Sequence, residues 1–200
     1  MTQFKLAKAL ALSGLCLIAS ASGVAAKSQP PRPAQHRAPV KKPAIVIPAG
    51  IPKTVVIQKI GVKAPVESLD LTKKSEKDAP NRWGDVAWYN RGPRPGAVGR
   101  AAVFGHLDSY CCPAVFWKLK YLRAGDQVQV YYKTGKALTF RVQWGNQYLN
   151  SKLPLKFMFG RTPERGLILM TCTGVFHKSS GYDRKWLVYA RVVLANGKIG

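Results

Sequence analysis

The sequence predicts a mostly β domain, a closed barrel or a sandwich, and three observations lead there. Short runs of β-branched and aromatic residues recur along the chain. Turn residues separate them, and no long stretch carries the apolar period of a helix. Two hundred residues are enough for one such domain and a tail, and the 46% hydrophobic content can fill a core.

Taken in order, Lys5 and Lys8 precede an uncharged run from Ala9 to Ala26 that closes on Val24-Ala25-Ala26. Basic residues, then an apolar run, then small residues predict an N-terminal signal peptide or a retained membrane anchor over 1–26. Either way the chain is expected outside the cytoplasm, secreted or held at the outer face of a bacterial membrane. Leu15-Cys16 lacks the small residue that a lipid-attachment site needs before its cysteine. Residues 27–52 are rich in Pro and Lys and predict an extended tether with little to bury, His36 included. The domain proper is expected over 53–200.

Val55, Val56, Ile57 and Ile60 make the first β-like run, and a second short one follows Gly61. Residues 72–85 read as polar and turn-like. The loop Arg91-Gly92-Pro93-Arg94-Pro95-Gly96 leads to a compact strand, Ala101 to Phe104, ending at Gly105-His106. Pro113 opens a predicted short helix with Val115, Phe116, Leu119 and Leu122 on one face. Val128, Val130 and Tyr132 alternate with polar neighbours. After Lys133-Thr134-Gly135-Lys136 a strand from Leu138 to Trp144 completes a hairpin. Leu167 to Met170 is a buried-type strand ending at Thr171-Cys172, with Thr173-Gly174 expected to turn the chain. Trp186 to Leu194 supplies the last strand.

Charge is the compositional anomaly: 32 Lys and Arg against 9 Asp and Glu, a formal +23. Residues 1–50 hold seven of the bases and no acid, so +16 belongs to the remainder. Such a surface attracts polyanions. With an export signal, the expected partner is an anionic membrane or wall surface and not nucleic acid. A non-catalytic module that binds wall polymers through this charge is one alternative function.

The four cysteines do not make a disulfide framework. Cys16 lies in the apolar run, and Cys111 and Cys112 are adjacent, so they bridge each other only in a strained ring. They are expected to pair together or stay free, with a bridge to Cys172 as the rival pairing. Cys172 is left over. There is no CxxC, the histidines at 36, 106 and 177 are scattered, and no acidic cluster suggests calcium, so no metal or cofactor is expected. A thiol becomes a nucleophile only beside a base or a cation. His106, also at a strand end, is the candidate partner, whereas His177 reads as a solvated loop residue.

Five ordered segments carry a resemblance. Ile168-Leu169-Met170-Thr171-Cys172 resembles the sortase signature Thr-Leu-x-Thr-Cys, and Phe104-Gly105-His106-Leu107-Asp108-Ser109 resembles the segment that carries the sortase histidine. Trp88-Tyr89 with Gly92-Pro93 and Pro95-Gly96, Pro113-Ala114-Val115-Phe116, and Leu122-x-x-Gly125-Asp126 resemble the class F branch. The similarity runs from about Lys53 to Leu194. It implies a closed eight-stranded β-barrel with one or two short helices. It also implies a transpeptidase that cleaves a Leu-Pro-x-Thr-Gly-like sorting signal of client proteins at Thr–Gly and passes the acyl group to an envelope amine. In that reading Cys172 is the nucleophile, His106 the proton donor and acceptor, Arg184 the oxyanion-side cation and Thr171 a substrate-binding residue. The chain departs from the pattern at Ile168, where the signature has Thr, and at Asp183-Arg184-Lys185, where class F proteins often have Arg-Asp-Asn. The register of the cation is thus open by one residue, with Arg191 as fallback. A sortase fold working as a hydrolase is a second alternative. An L,D-transpeptidase is not supported, because Ser-His-Gly does not precede Cys172.

Overall fold

In the computed structural model, residues 48, 50–70 and 79–200 are described. The expected leader or anchor, nearly all of the expected tether, Cys16 and His36 lie outside them. Among the described residues no helix is long and apolar enough to cross a membrane.

Among the described residues eight strands form: β1 (Pro52–Ile57), β2 (Val62–Leu69), β3 (Val86–Tyr89), β4 (Gly99–Gly105), β5 (Gln127–Tyr132), β6 (Ala137–Leu149), β7 (Arg165–His177) and β8 (Gly181–Val192). They close into one barrel in the order β1-β2-β3-β4-β7-β8-β6-β5, with β5 pairing back onto β1. Closure leaves no unpaired sheet edge. Two neighbouring pairs are parallel, β2 with β3 and β4 with β7. The expected eight-stranded barrel is therefore what the chain forms.

Alternation decides which side chains fill it. On β7, Leu167 and Leu169 point into the main core with Val55, Val103, Phe140 and Val188. Ile168 and Met170 point the other way, into two smaller clusters, one built with Leu187 and Tyr189 and the other with Ala102 and Phe104. The one α-helix among the described residues, α1 (Leu155–Phe159), buries Met158 against Ile168 and Leu187. Behind it the Arg100 guanidinium lies 4.0 Å from the Phe157 ring centroid and 2.6 Å from the Glu164 carboxylate, which also accepts a 2.8 Å bond from Tyr189.

Three sequence expectations are corrected. The stretch after Pro113 is a run of turns ending in a 3₁₀ turn at Leu119–Tyr121, not an α-helix. Its apolar residues are buried all the same, with Phe116, Leu119 and Leu122 plugging the core. A plug this short is anchored by packing and does not need helical propagation. β3 is a four-residue strand that the turn-rich flanks concealed. Third, β7 does not end at Cys172. It runs on to His177, and Thr173-Gly174 forms an irregularity in its pairing with β8 where a turn was expected. Gly174 sits at φ 90°, and a Cβ there would strike the Asp183 carboxylate.

Candidate active site

The parallel pairing of β4 with β7 builds the site. Its last matched pair is Phe104 with Met170, so His106 and Cys172, each two residues further on, emerge side by side at the same end of adjacent strands. On the far side of β7, Cys172 is matched with Lys185 of β8. Imidazole, thiol and ammonium thus form a row across three neighbouring strands.

Backbone bonds hold the histidine. Phe116 N–H donates to the His106 carbonyl at 2.9 Å, and Ala114 N–H donates to that of Leu107 at 2.9 Å. The Phe116 ring packs so closely on Gly105 that an added Cβ would lie 2.5 Å from it. Glycine precedes the histidine because the core plug needs that space. The His106 Nε2 lies 2.8 Å from the Pro80 carbonyl, which can only accept, so Nε2 carries a hydrogen. Nδ1 is then the ring atom that takes or gives a proton. Trp83 packs on the imidazole at a centroid distance of 4.3 Å and meets Tyr110 edge-on.

Cys172 is a free thiol, half-buried, and its hydrogen-bond partner is the Lys185 Nζ at 3.2 Å. Both Cys172 and His106 line a cavity of about 520 Å³ walled by Trp83, Tyr110, Phe176 and Tyr182. A second cavity of about 30 Å³ lies between Phe104, Met170, Thr171, Cys172 and Lys185. The Tyr182 hydroxyl donates to Asp108, tying β8 to the loop after His106. That bond, burial, and the negative charges of Asp108 and Cys172 push the Tyr182 hydroxyl up to about 12. It therefore stays protonated and serves as a tether, not as an acid or base.

The sequence-predicted residues divide. His106 and Cys172 come together. Thr171 is buried beneath them, its hydroxyl without a hydrogen-bond partner among the described residues. Arg184 is matched with Thr173, so it lies on the alternate face of β8 from Lys185. Its guanidinium sits 3.4 Å from Gln147 and 3.4 Å from the Asp183 carboxylate, and it does not line either cavity. Arg191 lies deep in β8 and donates to the Gly200 carbonyl at 3.0 Å, while His177 is exposed at the end of β7. Cys111 and Cys112 are joined by a disulfide in the cavity-edge loop, leaving Cys172 out of it. Among the described residues no group of three His, Cys, Asp or Glu could hold a metal ion. Sequence reasoning missed Lys185, Tyr182 and Trp83. The one available signal was the open register at Asp183-Arg184-Lys185.

Comparison with known proteins agrees with this fold. No curated protein matches the chain. Sortase A from Corynebacterium diphtheriae superposes with a TM-score of 0.56 at 17% identity, over 72% of this chain and 61% of that one. The chain thus spans about three fifths of that protein's length. Sortase C1 from Streptococcus agalactiae gives 0.55 at 17% identity, over 71% and 67% of the two chains. Sortase C-1 from Actinomyces oris gives 0.54 at 19%, over 70% and 73%. At these identities the likeness is one of fold. The family model for the sortase domain, however, matches residues 55–193, which include the histidine, the thiol, β8 and every other strand except the first three residues of β1. On that match the chain belongs to the sortase family.

Proposed function

We propose that the protein is an exported cysteine transpeptidase of the class F branch. It cleaves a Leu-Pro-x-Thr-Gly-like sorting signal between Thr and Gly and transfers the acyl group to an amine of the cell envelope. The observation that carries this reading is the row of His106, Cys172 and Lys185 opening on an aromatic-walled cavity.

In this reading the Cys172 thiolate attacks the Thr carbonyl carbon, and negative charge develops on the carbonyl oxygen. Collapse breaks the C–N bond while the His106 imidazolium gives its proton to the departing glycine amine. The thioester on Sγ is then attacked by the acceptor amine, whose proton returns to His106, and the thiolate leaves. No third carboxylate is required, because Pro80 already orients the ring. The oxyanion needs a fixed cation. Two adjacent residues of β8 compete for that part, Arg184 named by the sequence and Lys185 named by its distance to the sulfur. The +16 carried beyond residue 50 suits work at an anionic membrane or wall surface, and binding to anionic vesicles should fall as salt rises.

The test is a fluorogenic Leu-Pro-x-Thr-Gly peptide, with and without an added amine. Wild type is expected to cleave it and to form the amide when the amine is present. Cys172→Ala should abolish both while melting normally, and His106→Ala should lose on the order of 10²-fold or more. Wild-type rates in Cys172→Ala would overturn the reading. Cleavage that never yields the amide would favour the hydrolase alternative.

A further inference from the structure

We propose that Lys185 is the catalytic cation of this site. Its ammonium holds the Cys172 sulfur as a thiolate in the resting protein, then stabilises the oxyanion when charge moves from sulfur to oxygen. The inference rests on the reading of Cys172 as nucleophile.

Strand pairing fixes the position. Thr171 is matched with Trp186, Cys172 with Lys185 and Thr173 with Arg184, the end of a register that is continuous from Gly166 to Thr173. Matched residues of an antiparallel pair present their side chains on the same face, and the next residue presents its own on the other. The register therefore puts Lys185 at the sulfur, and the 3.2 Å Nζ–Sγ contact follows from it. The same register turns Arg184 toward Thr173 and Gln147, with its charge opposed by Asp183.

The surroundings suit a charge pair. Lys185 borders the 30 Å³ cavity beside Phe104, Met170 and Ala79, an apolar lining in which a short-range attraction is weakly screened. Among the described residues, the titratable groups that share a cavity with the thiol are His106 from the end of β4, Asp108 and Tyr110 from the loop after it, and Lys185 and Tyr182 from β8. Asp108 is engaged by the Tyr182 hydroxyl. An ammonium is a compact charge on a flexible stem, so it can follow the charge from sulfur to oxygen. A guanidinium held on the other face cannot.

The experiment separates this proposal from the proposed function by reading the thiol directly. Iodoacetamide labelling of Cys172 in the full chain, followed by peptide mass mapping between pH 5 and 10, needs no substrate. Lys185→Met is expected to slow labelling at pH 7 by about tenfold and move the rate profile to higher pH. Lys185→Arg should keep most of the wild-type profile, and the charge control Lys156→Met, on the exposed side of α1, should match wild type. Peptide turnover in Lys185→Met should fall on the order of 10²-fold, with partial recovery in Lys185→Arg. If Lys185→Met fails to fold, Lys185→Gln provides the neutral side chain for the same comparison. Labelling that is unchanged in the neutral variants overturns the proposal, as does full turnover in them. Loss of turnover in Arg184→Met alone would return the role to Arg184. A lysine-dependent labelling profile in a protein that cleaves no sorting peptide would sink the function and leave the cation in place.

Discussion

Lysine differs from arginine in one respect that matters beside a thiol: it can lose its proton and become a nucleophile. The Lys185 Nζ lies 3.2 Å from Cys172 Sγ, so in the proposed reaction it would stand next to the thioester. Protonated, it is inert and useful as a charge. Unprotonated, it can attack the carbonyl, forming a C–N bond as the C–S bond breaks, the thiolate leaves and the nitrogen gives up a proton to solvent. We therefore expect wild type, given sorting peptide without added amine at pH 10, to gain one acyl mass on Lys185 that resists hydroxylamine. At pH 7 the adduct should be absent, and Lys185→Arg should not form it at either pH. Intact-mass and peptide mapping decide the matter. At this scale the sequence was legible for the thiol and the imidazole, whose neighbours Thr171 and Gly105 carry the family pattern. Lys185 was not, because alternation along β8 gives adjacent charged residues opposite faces, and composition cannot say which is which.

Elements explain where the sequence reading ran short. The apolar pattern of β7 stops at Met170, which predicts a strand that ends at Thr171-Cys172. Backbone pairing with β8 continues to His177, past the rim of the barrel, where both faces of the ribbon are wet. Periodicity reports burial, not pairing, so a two-stranded extension into solvent leaves no signal. The loop after β4 is the converse case. Its turns carry no helical bonding, yet the buried faces of Phe116, Leu119 and Leu122 were readable because burial is what the pattern records. That plug sets the height of His106. Gly105→Ala should crowd Phe116, lower stability by about 1–3 kcal/mol, and reduce turnover more than Cys172 labelling. Replacing Phe116 with Leu in the same protein should restore much of the stability by making room. Urea denaturation of the two single variants and the double one checks the coupling.

At the scale of the whole molecule the barrel is fastened outside its core as well as inside. The Glu164 carboxylate joins β4 through Arg100 and β8 through Tyr189, while the Gly99 N–H donates to the Glu164 backbone carbonyl at 2.7 Å. Burial alone would raise its pKa. Hydrogen bonds from Tyr189 and Arg100, with the charges of Arg100 and Arg191, outweigh burial and hold it below the usual value. A carboxyl depressed in the folded state stabilises above its unfolded pKa, about 4.3, and the benefit is lost as pH falls through the lower folded value. Wild type should lose melting temperature steeply below about pH 4. Glu164→Gln should melt about 5 °C lower at neutral pH and show a shallower acid slope. Equal slopes in the two proteins would remove Glu164 from the acid response. Strand order has a further meaning when time is considered. β8, the last strand of the barrel, is also the one that joins β7 to β6, so the sheet stays open until it docks. Long-range pairings of this kind form late, after loop closure has been met. A chain emerging N-terminus first presents its histidine, then its thiol, and only at the end the ammonium that arms the thiol. On the proposed roles, an incomplete copy carries the thiol and the imidazole without their cation, and the site is assembled only when the last strand is in place.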